Sequence, residues 1–451
     1  MAIESEVLVV GGGLAGITSA IAAARHGADV RLVCHKRTSL RQASGLIDGL
    51  GYVPSRTDPY DGDEITQRRK DFRTVRTERG EYMGPLVTPF ERFDELPASH
   101  PYSILGPETL REGLALFDEI TGDAYRGSHT ERNALVPTFG GTIKPTARYP
   151  RAVEAGLASD SRPMAIIGFR SLTDFDARMV ADSLELADVP FEATGAEVEF
   201  AEAFRADAKI TRLAKALDHD ELIDGTPART ALAAAVDPHV GDAERVGFPA
   251  LLGDNHTDEV RADLGERLGV DVFEVPMGPP SLLGLRLEDR LYDALDAAGV
   301  RFVTGNPVVG YEARANEPHR INAVSVSHKG REVPYSAEQF VLATGGFVGK
   351  GLDSDRQQVR EPVFDCYIPQ PADRYDWFVD DAFGDHPYAR FGIRPNESMQ
   401  PLDPDGEPEF ENLYATGSVV GGADIAREKS ASGVSLATAL VAGRSAADSV
   451  R

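Results

Sequence analysis

The sequence predicts an α/β protein: a Rossmann-like domain split between the two chain ends, with a second α/β domain inserted between its halves. Three observations carry this. Gly11-x-Gly13-x-x-Gly16 lies between an apolar run and a helical pattern. Val341-Leu342-Ala343-Thr344-Gly345-Gly346 ends a second apolar run more than 300 residues later. Asn412-Leu413-Tyr414-Ala415-Thr416-Gly417-Ser418 repeats the strand-then-small-residue pattern near the C-terminus.

Taken in order, Val7 to Val10 form a short continuous apolar run, as a buried parallel strand requires. The glycines make the turn. Leu14, Ile17, Ile21 and Ala24 then recur on one helical face, and Gly27 supplies a C-cap. Val30, Leu32 and Val33 open the next strand, completing a βαβ unit. Residues 52–99 are rich in Pro, Asp, Gly and Arg and read as loops and insertions. A helix follows over 107–120. In the middle of the chain, strands are expected at 164–169, 246–252 and 270–275, with helices over 176–186 and 260–268. Ser281 N-caps a helix in which Leu283, Leu287, Leu291 and Leu295 stack at four-residue spacing, and Gly299 stops it. Strands are expected at 300–303, 321–327, 339–343 and 412–415, and a last helix from Gly433. The expected boundaries are 1–110 with 280–451 for the split domain and 111–279 for the insert.

The 451 residues suffice for two large domains or about three ordinary ones. Asp+Glu outnumber Lys+Arg by 72 to 47, a formal net charge of −25. Such a field repels phosphate polymers and anionic lipid, which argues against nucleic-acid or membrane-surface binding. Only 8 of the 47 cations are lysines. An acidic, lysine-poor surface points to a cell living in high salt. Cys34 and Cys366 are the two cysteines, too few for a disulfide framework, a zinc cluster or a protein-held iron–sulfur cluster. No metal site is expected. The N-terminus has no basic region ahead of its apolar run, so no signal peptide is expected, and no run is long enough to span a membrane.

The first glycine motif has a mechanical reading. Gly11 makes the tight turn and Gly13 lets a phosphate reach the backbone. Gly16 lets the helix pack on the strand, and Gly12, Leu14 and Ala15 belong to the same cradle at the helix N-terminus. The end of the second strand is where an acidic residue would take a ribose hydroxyl. Cys34 stands there, followed by His35, Lys36 and Arg37. Two accounts stay open: a basic trio meeting a phosphate, as in an NADP site, or a cofactor without the adenosine half. Ala43-Ser44-Gly45 offers small residues along which a cofactor can run, and it also suits a plain turn. Thr344 and Gly345 end the second strand motif. Gly417 precedes Ser418; the pattern resembles flavoproteins that usually carry an acid at this place for a ribityl hydroxyl, and a hydroxyl still makes one such bond. Gly433 and Val434 open the last helix, whose positive end suits the reduced flavin ring.

These motifs in this order resemble fumarate-reductase-type flavoproteins. A closer resemblance is to the B component of anaerobic glycerol-3-phosphate dehydrogenases. It rests on Gly11 to Gly16, Ala43-Ser44-Gly45-Leu46-Ile47-Asp48, His100-Pro101-Tyr102-Ser103-Ile104-Leu105, Gly168 with Asp174-Phe175, residues 279–287, Arg360-Glu361-Pro362 and residues 412–422. The resemblance implies a Rossmann-like flavin-binding domain holding FMN, with FAD as the alternative. It further implies a complex with two other chains: a flavoprotein A component and an iron–sulfur, membrane-associated C component. That complex oxidises sn-glycerol 3-phosphate to dihydroxyacetone phosphate and passes electrons indirectly to quinone. The expected location is cytoplasmic, held at the inner face of the membrane by a partner subunit.

Oxidising a secondary alcohol needs a base, and a phosphorylated substrate needs a cationic clamp. His100 and Arg286 are weak candidates for these roles; equally, His100 anchors a turn and Arg286 makes a structural ion pair. Two other readings stay open: a stand-alone flavin or NADP oxidoreductase, and a cofactor-free assembly subunit.

Overall fold

Val7, Leu8 and Val9 have no exposed surface because strand β1 (Ile3–Val10) has a parallel neighbour on each side. One is β2 (Val30–Cys34). Beyond it lies β3 (Arg301–Thr304), also parallel. β4 (Val308–Arg314), β5 (Glu317–His328) and the long β6 (Arg331–Leu342) form an antiparallel meander, and β6 returns alongside β1 in parallel. The sheet order is β3-β2-β1-β6-β5-β4, with β7 (Leu413–Ala415) also on β6. The computed structural model describes residues 3–36, 40–52, 84–200, 210–382 and 384–451.

The far edge of β6 serves two partners. Its first half pairs antiparallel with β5, and its last three residues pair parallel with β7. The sheet forks between them, and a fork leaves backbone groups unpaired. Asn412, fully buried, fills the gap: its Oδ1 accepts from the Ile321 N–H at 2.9 Å, and its Nδ2 donates to the carbonyls of Ile321 and Glu338, each at 2.9 Å. The side-chain amide thus acts as an inserted peptide group.

The helices of the split domain surround this sheet in sequence. α1 (Leu14–Arg25) follows β1 directly. α2 (Pro101–Leu105) and α3 (Pro107–Thr121) come later in the chain. α4 (Leu282–Ala297) precedes β3, and α5 (Ala431–Asp448) ends the chain. α5 packs against both α1 and α3 through glycines. A Cβ on Gly443 would lie 2.4 Å from the Ser19 carbonyl oxygen, and one on Gly113 would lie 3.0 Å from the Leu436 backbone. The helices touch backbone to backbone, which suits an α5 in which 12 of 18 residues are Ala, Gly, Ser or Thr.

The chain divides into two compact units: residues 1–39, 48–121 and 290–451, and residues 40–47 with 122–289. The second unit has its own four-stranded parallel sheet, ordered Asp271–Val275, Arg245–Pro249, Met164–Phe169, Ala193–Val198. Its core centres on Ile166, Ile167, Phe169, Val246, Phe248 and Phe273. Arg245 is completely buried within it. Its guanidinium donates to the carbonyls of Ala155, Leu157, Asp160 and Arg162 at 2.7–3.0 Å and lies over the Phe191 ring. Burial pulls its pKa down to about 10, yet it stays charged at neutral pH.

The α/β class, the split first domain and the inserted domain are present as expected. The boundaries differ. Helix α3 belongs with the first unit because Gly113 seats it on α5, and residues 40–47 belong with the second, tied there by the bridge from Ile47 to Arg148. α4 starts in the second unit and ends in the first, and Ser281 Oγ accepts from the Gly284 N–H at its start. Of the expected loop stretch 52–99, residues 53–83 lie outside the described residues; Pro89–Glu95 is a 3-10 turn. The strand Ala193–Val198 and the helices Ile210–Asp218 and Ala228–Val236 are not among the elements the sequence pattern predicts. Ala193 and Val198 alone of that strand are buried, so it shows no apolar run.

These environments set two expectations. Asn412→Leu leaves three backbone groups without this partner, those of Ile321 buried and that of Glu338 part-buried, and chemical denaturation should show a loss of about 3 kcal/mol. Glu409 accepts from the Tyr367 N–H at 2.7 Å. Burial, opposed by that N–H and reinforced by Asp403, Asp365 and Glu361, pushes its carboxyl up to about 7. The folded chain then holds a proton that the unfolded chain releases near its ordinary 4.5. This contribution is full below that value and is lost as pH rises through about 7. Glu409→Gln keeps the acceptor and removes the charge. It should raise Tm over the parent at about pH 8 and change it little at about pH 5.

Candidate functional site

Five parallel strands of the first unit, in the order β3-β2-β1-β6-β7, point their carboxyl ends the same way. Open α/β sheets bind ligands at that edge. The loops leaving it carry Gly305, His35, Gly11 to Gly16, Thr344 to Gly346 and Gly417-Ser418. The structure thus assembles most of the residues that the sequence singled out.

The ends are locked in register. The Gly11 N–H donates to the Val33 carbonyl at 2.9 Å, Ala343 N–H to Val10 at 2.8 Å and Thr416 N–H to Leu342 at 2.9 Å. The glycines are sterically required there. Gly11 has φ +124°, and a Cβ on it would meet the Ala343 carbonyl oxygen at 2.1 Å. A Cβ on Gly16 would lie 1.9 Å from the Gly11 carbonyl oxygen. α1 begins at Gly13 with no side-chain cap and no acidic residue in its first turn. Its first N–H groups, which include those of Leu14 and Ala15, have no acceptor within the helix and offer donors to an anion.

Cys34 does not display a polar group at the strand end. It is 5% exposed, a Cβ on Gly12 would lie 2.8 Å from its sulfur, and its thiol sits 3.7 Å from Thr304 Oγ1. His35 is exposed, and its carbonyl accepts from Gly305 N–H. Tyr292 Oη contacts the Gly12 carbonyl at 3.4 Å. Thr344 Oγ1 is buried and has no hydrogen-bond partner among the described residues. Ser418 Oγ accepts from the Gly346 N–H at 2.9 Å, which ties the β6 turn to the β7 turn and leaves its own proton to donate. Gly417, at φ +74°, lies so close to α1 that a Cβ would be 2.7 Å from that of Ala15. Its N–H donates to Thr438 Oγ1, which also meets Thr416 Oγ1 at 2.8 Å. No sequence signal marks Thr438, one small residue in a small-residue helix.

Gly433 and Val434 have other partners. Gly433 N–H donates to the Asp48 carbonyl at 2.7 Å and Val434 N–H to Ser430 at 2.9 Å. A Cβ on Gly433 would collide with Tyr102 Oη at 2.2 Å, so this glycine seats α5 against Asp48 and Gly49. Tyr102 Oη donates to the Gly49 carbonyl; burial, then Glu428 and Asp48, push its pKa well up, so it remains a donor.

Ser44 and Gly45 belong to the second unit. Ser44 Oγ accepts from Leu46 N–H, and Gly45, at φ +76°, would put a Cβ 2.6 Å from that of Leu283. Tyr125 Oη donates to the Gly45 carbonyl at 2.8 Å, so the tight turn is held on both sides.

The two weak catalytic candidates have structural partners. His100 has no exposed surface: Nδ1 accepts from Tyr102 N–H as the cap of α2, and Nε2 meets Glu428 at 3.1 Å. Neither ring nitrogen is open to a substrate. Arg286, in the second unit, pairs with the fully buried Glu274 at 2.6 Å, and that carboxylate also accepts from Leu252 N–H. Its charge neutralises a buried acid. Among the described residues, no group of His, Cys, Asp or Glu is placed to hold a metal ion.

The glycine cradle, the open amides of α1 and the unpartnered Thr344 hydroxyl suit a phosphate followed by a hydroxylated chain. The chain matches the FAD binding domain family over residues 6–434. That match supports a flavin and lends nothing to FMN over FAD. The probable B component of the anaerobic glycerol-3-phosphate dehydrogenase of Halobacterium salinarum is 52% identical, over 100% of this chain and 99% of its own. The corresponding B component of Vibrio cholerae is 29% identical over 96% of this chain and 94% of its own. The halobacterial relative agrees with the salt-adapted composition. Among solved structures, an open conformation of a flavocytochrome c3 fumarate reductase aligns with 99% of this chain and 79% of its own, at 12% identity and a TM-score of 0.42. The chain belongs to the FAD binding domain family and, within it, to the B components of anaerobic glycerol-3-phosphate dehydrogenases.

Proposed function

We propose that this chain is the flavin-containing subunit of a quinone-linked anaerobic glycerol-3-phosphate dehydrogenase complex. It oxidises sn-glycerol 3-phosphate to dihydroxyacetone phosphate or relays the electrons of that reaction to an iron–sulfur subunit. The full-length relation to the halobacterial B component carries this reading. The matching family favours FAD as the flavin. When bound, the flavin supplies a hydride acceptor at N5.

The residues that hold it are those of the strand ends. The amides of Gly13, Leu14 and Ala15 take phosphate oxygens at the positive end of α1. The hydroxyls of Thr344 and Ser418 meet the ribityl chain. Cys34 and His35 border the first turn, and Gly345 and Gly417 keep side chains out of the cofactor's path. Backbone amides thus bind an anion on a chain whose net charge is −25.

Two partners complete the complex, a flavoprotein A component and an iron–sulfur C component. No helix among the described residues is long and apolar enough to cross a membrane. In this reading, attachment at the inner face of the membrane is the work of the iron–sulfur partner.

Two experiments test this. The purified chain should carry a flavin, identified by mass after release. That flavin should bleach anaerobically on adding glycerol 3-phosphate, alone or after assembly with the A and C components. A flavin that bleaches in neither state refutes the proposal, and bleaching by NADPH alone would favour a stand-alone oxidoreductase. Gly13→Glu supplies the second. Gly13 has φ −85° and ψ −174°, extended backbone open to any residue, so the variant should fold. Its carboxylate repels phosphate at the mouth of α1. Retention of flavin should fall at least tenfold with Tm of the apoprotein nearly unchanged, and full occupancy would refute the placement of the phosphate.

A further inference from the structure

Five parallel strands end at the ligand edge of the first unit, and the hydrogen bonds proposed above use only three of them. α1 follows β1, the middle strand of the row β3-β2-β1-β6-β7, so its open amides mark the phosphate at the centre. Thr344 and Ser418 follow β6 and β7 on one side. The ends of β2 and β3 lie on the other. A flavin mononucleotide ends at its phosphate and has nothing to place there. A flavin dinucleotide carries a second nucleoside beyond the phosphates, and Rossmann-like sheets take that half over the strands on the far side of the glycine turn.

A nucleoside in that position needs a partner for its ribose hydroxyls, ordinarily an acidic residue at the end of the second strand. Cys34 stands there, 5% exposed, and its thiol turns sideways to Thr304 Oγ1 at 3.7 Å. Thr304 is the register partner of Cys34 and the last residue of β3, and it is exposed. Having accepted the thiol hydrogen, its hydroxyl keeps a proton to donate and a lone pair to accept with. The backbone around it is held. Gly305 N–H donates to the His35 carbonyl at 3.1 Å, and Asn306 Nδ2 donates to the Thr304 carbonyl at 3.1 Å. The space beyond is open, since a Cβ on Gly305 would meet nothing within 4 Å among the described residues. Residues 30–36 and 301–308 contain no Asp or Glu, so neither segment repels a diphosphate.

We propose that the Thr304 hydroxyl, at the end of β3, binds the adenosine ribose in place of the missing acid and makes the chain selective for FAD over FMN. This rests on the flavin-subunit reading above and names the flavin it takes. A hydroxyl meets the ribose without setting a negative charge beside the diphosphate. The test is calorimetric titration of the full-length chain, freed of its flavin, with FAD and with FMN. The parent should bind FAD at least about tenfold more tightly than FMN. Thr304→Val, of the same shape and at home on a strand, should weaken FAD about threefold to tenfold and leave FMN unchanged, the loss expected of one hydrogen bond. Thr304→Ser keeps the hydroxyl and should restore FAD binding. Thr304→Ala also removes the hydroxyl, and it should repeat the valine pattern should that variant misfold.

A parent that binds FMN as tightly as FAD overturns the proposal and leaves the flavin-subunit reading standing. So does Thr304→Val at parental FAD affinity, and so does an equal loss of both flavins, which would assign Thr304 to packing alone. NADPH taken up in place of either flavin would assign the strand ends to a 2′-phosphate held by the exposed His35 and Lys36, and overturns it as well. A parent that binds neither flavin sinks the flavin-subunit reading itself, and this proposal with it.

Discussion

The first unit depends on one close approach, that of the β1 turn to the end of β6. Gly11 and Ala343 share a space in which a single methyl group has no room. Gly16 brings the first turn of α1 onto the same carbonyl row. Because the N–H groups of Gly11, Ala343 and Thr416 all stay bonded to neighbouring strands, the sheet keeps its register up to the loops. The amides of α1 then point past the strand ends rather than into a side chain. A flexible turn at Gly11 would loosen the N-terminus of α1 and the packing of β6 together, so the proposed anion site and the fold rest on the same atoms.

The Asn412 fork lets the remainder of the sheet serve this edge. β6 is twelve residues long because it does two jobs in succession, closing an antiparallel meander and then lying between two parallel strands. Without a bridging amide the transfer from β5 to β7 would bury open backbone groups. β7 would then lose its footing beside β6, and with it the Gly417-Ser418 turn. Ser418 closes the arrangement from the ligand side by accepting from Gly346, so the two small-residue turns are one structure.

Such close contacts are also what makes a sequence legible. Glycines wedged between backbones tolerate nothing else, so Gly11, Gly16 and the Ala343–Gly345 turn show as motifs. The leucine row of α4 and the apolar runs at 7–10 and 164–169 show for the plainer reason that these side chains are buried. For His100 and Arg286 the sequence leaves a catalytic and a structural role open side by side, and for Gly433 it suggests a ligand role where the structure shows a packing one, because residue type is silent about partners. A histidine that caps α2 against Glu428 and a histidine that removes a substrate proton are spelled alike. The inserted domain carries the weakest signals. Its strand Ala193–Val198 buries only its first and last residues, so no alternation or apolar run betrays it. In the first unit, Thr438 works through a single hydroxyl in a helix of small residues. The domain boundaries shift because glycine contacts of α3 with α5, invisible as a pattern, outweigh chain order.

The same geometry accounts for the two places where a neutral residue replaces an expected acid. At the end of β2 the thiol of Cys34 turns away from solvent onto Gly12 and Thr304, so that position fills space without a charge. At the end of β7 the hydroxyl of Ser418 accepts from the Gly346 N–H. Both changes leave a strand end beside the α1 N-terminus without a negative charge, on a chain already at −25, which would favour any phosphate held there. In salt the distant charges are screened within a few ångströms, whereas groups touching the phosphate are not. An acid retained in either position would act at contact range, against the same anion that the amides of α1 attract. Neutral residues at these two positions, acids over the solvent face and backbone amides at the cradle are therefore one electrostatic solution. No acidic residue stands in the first turn of α1 or at the ends of β2 and β7, although the chain as a whole is strongly acidic.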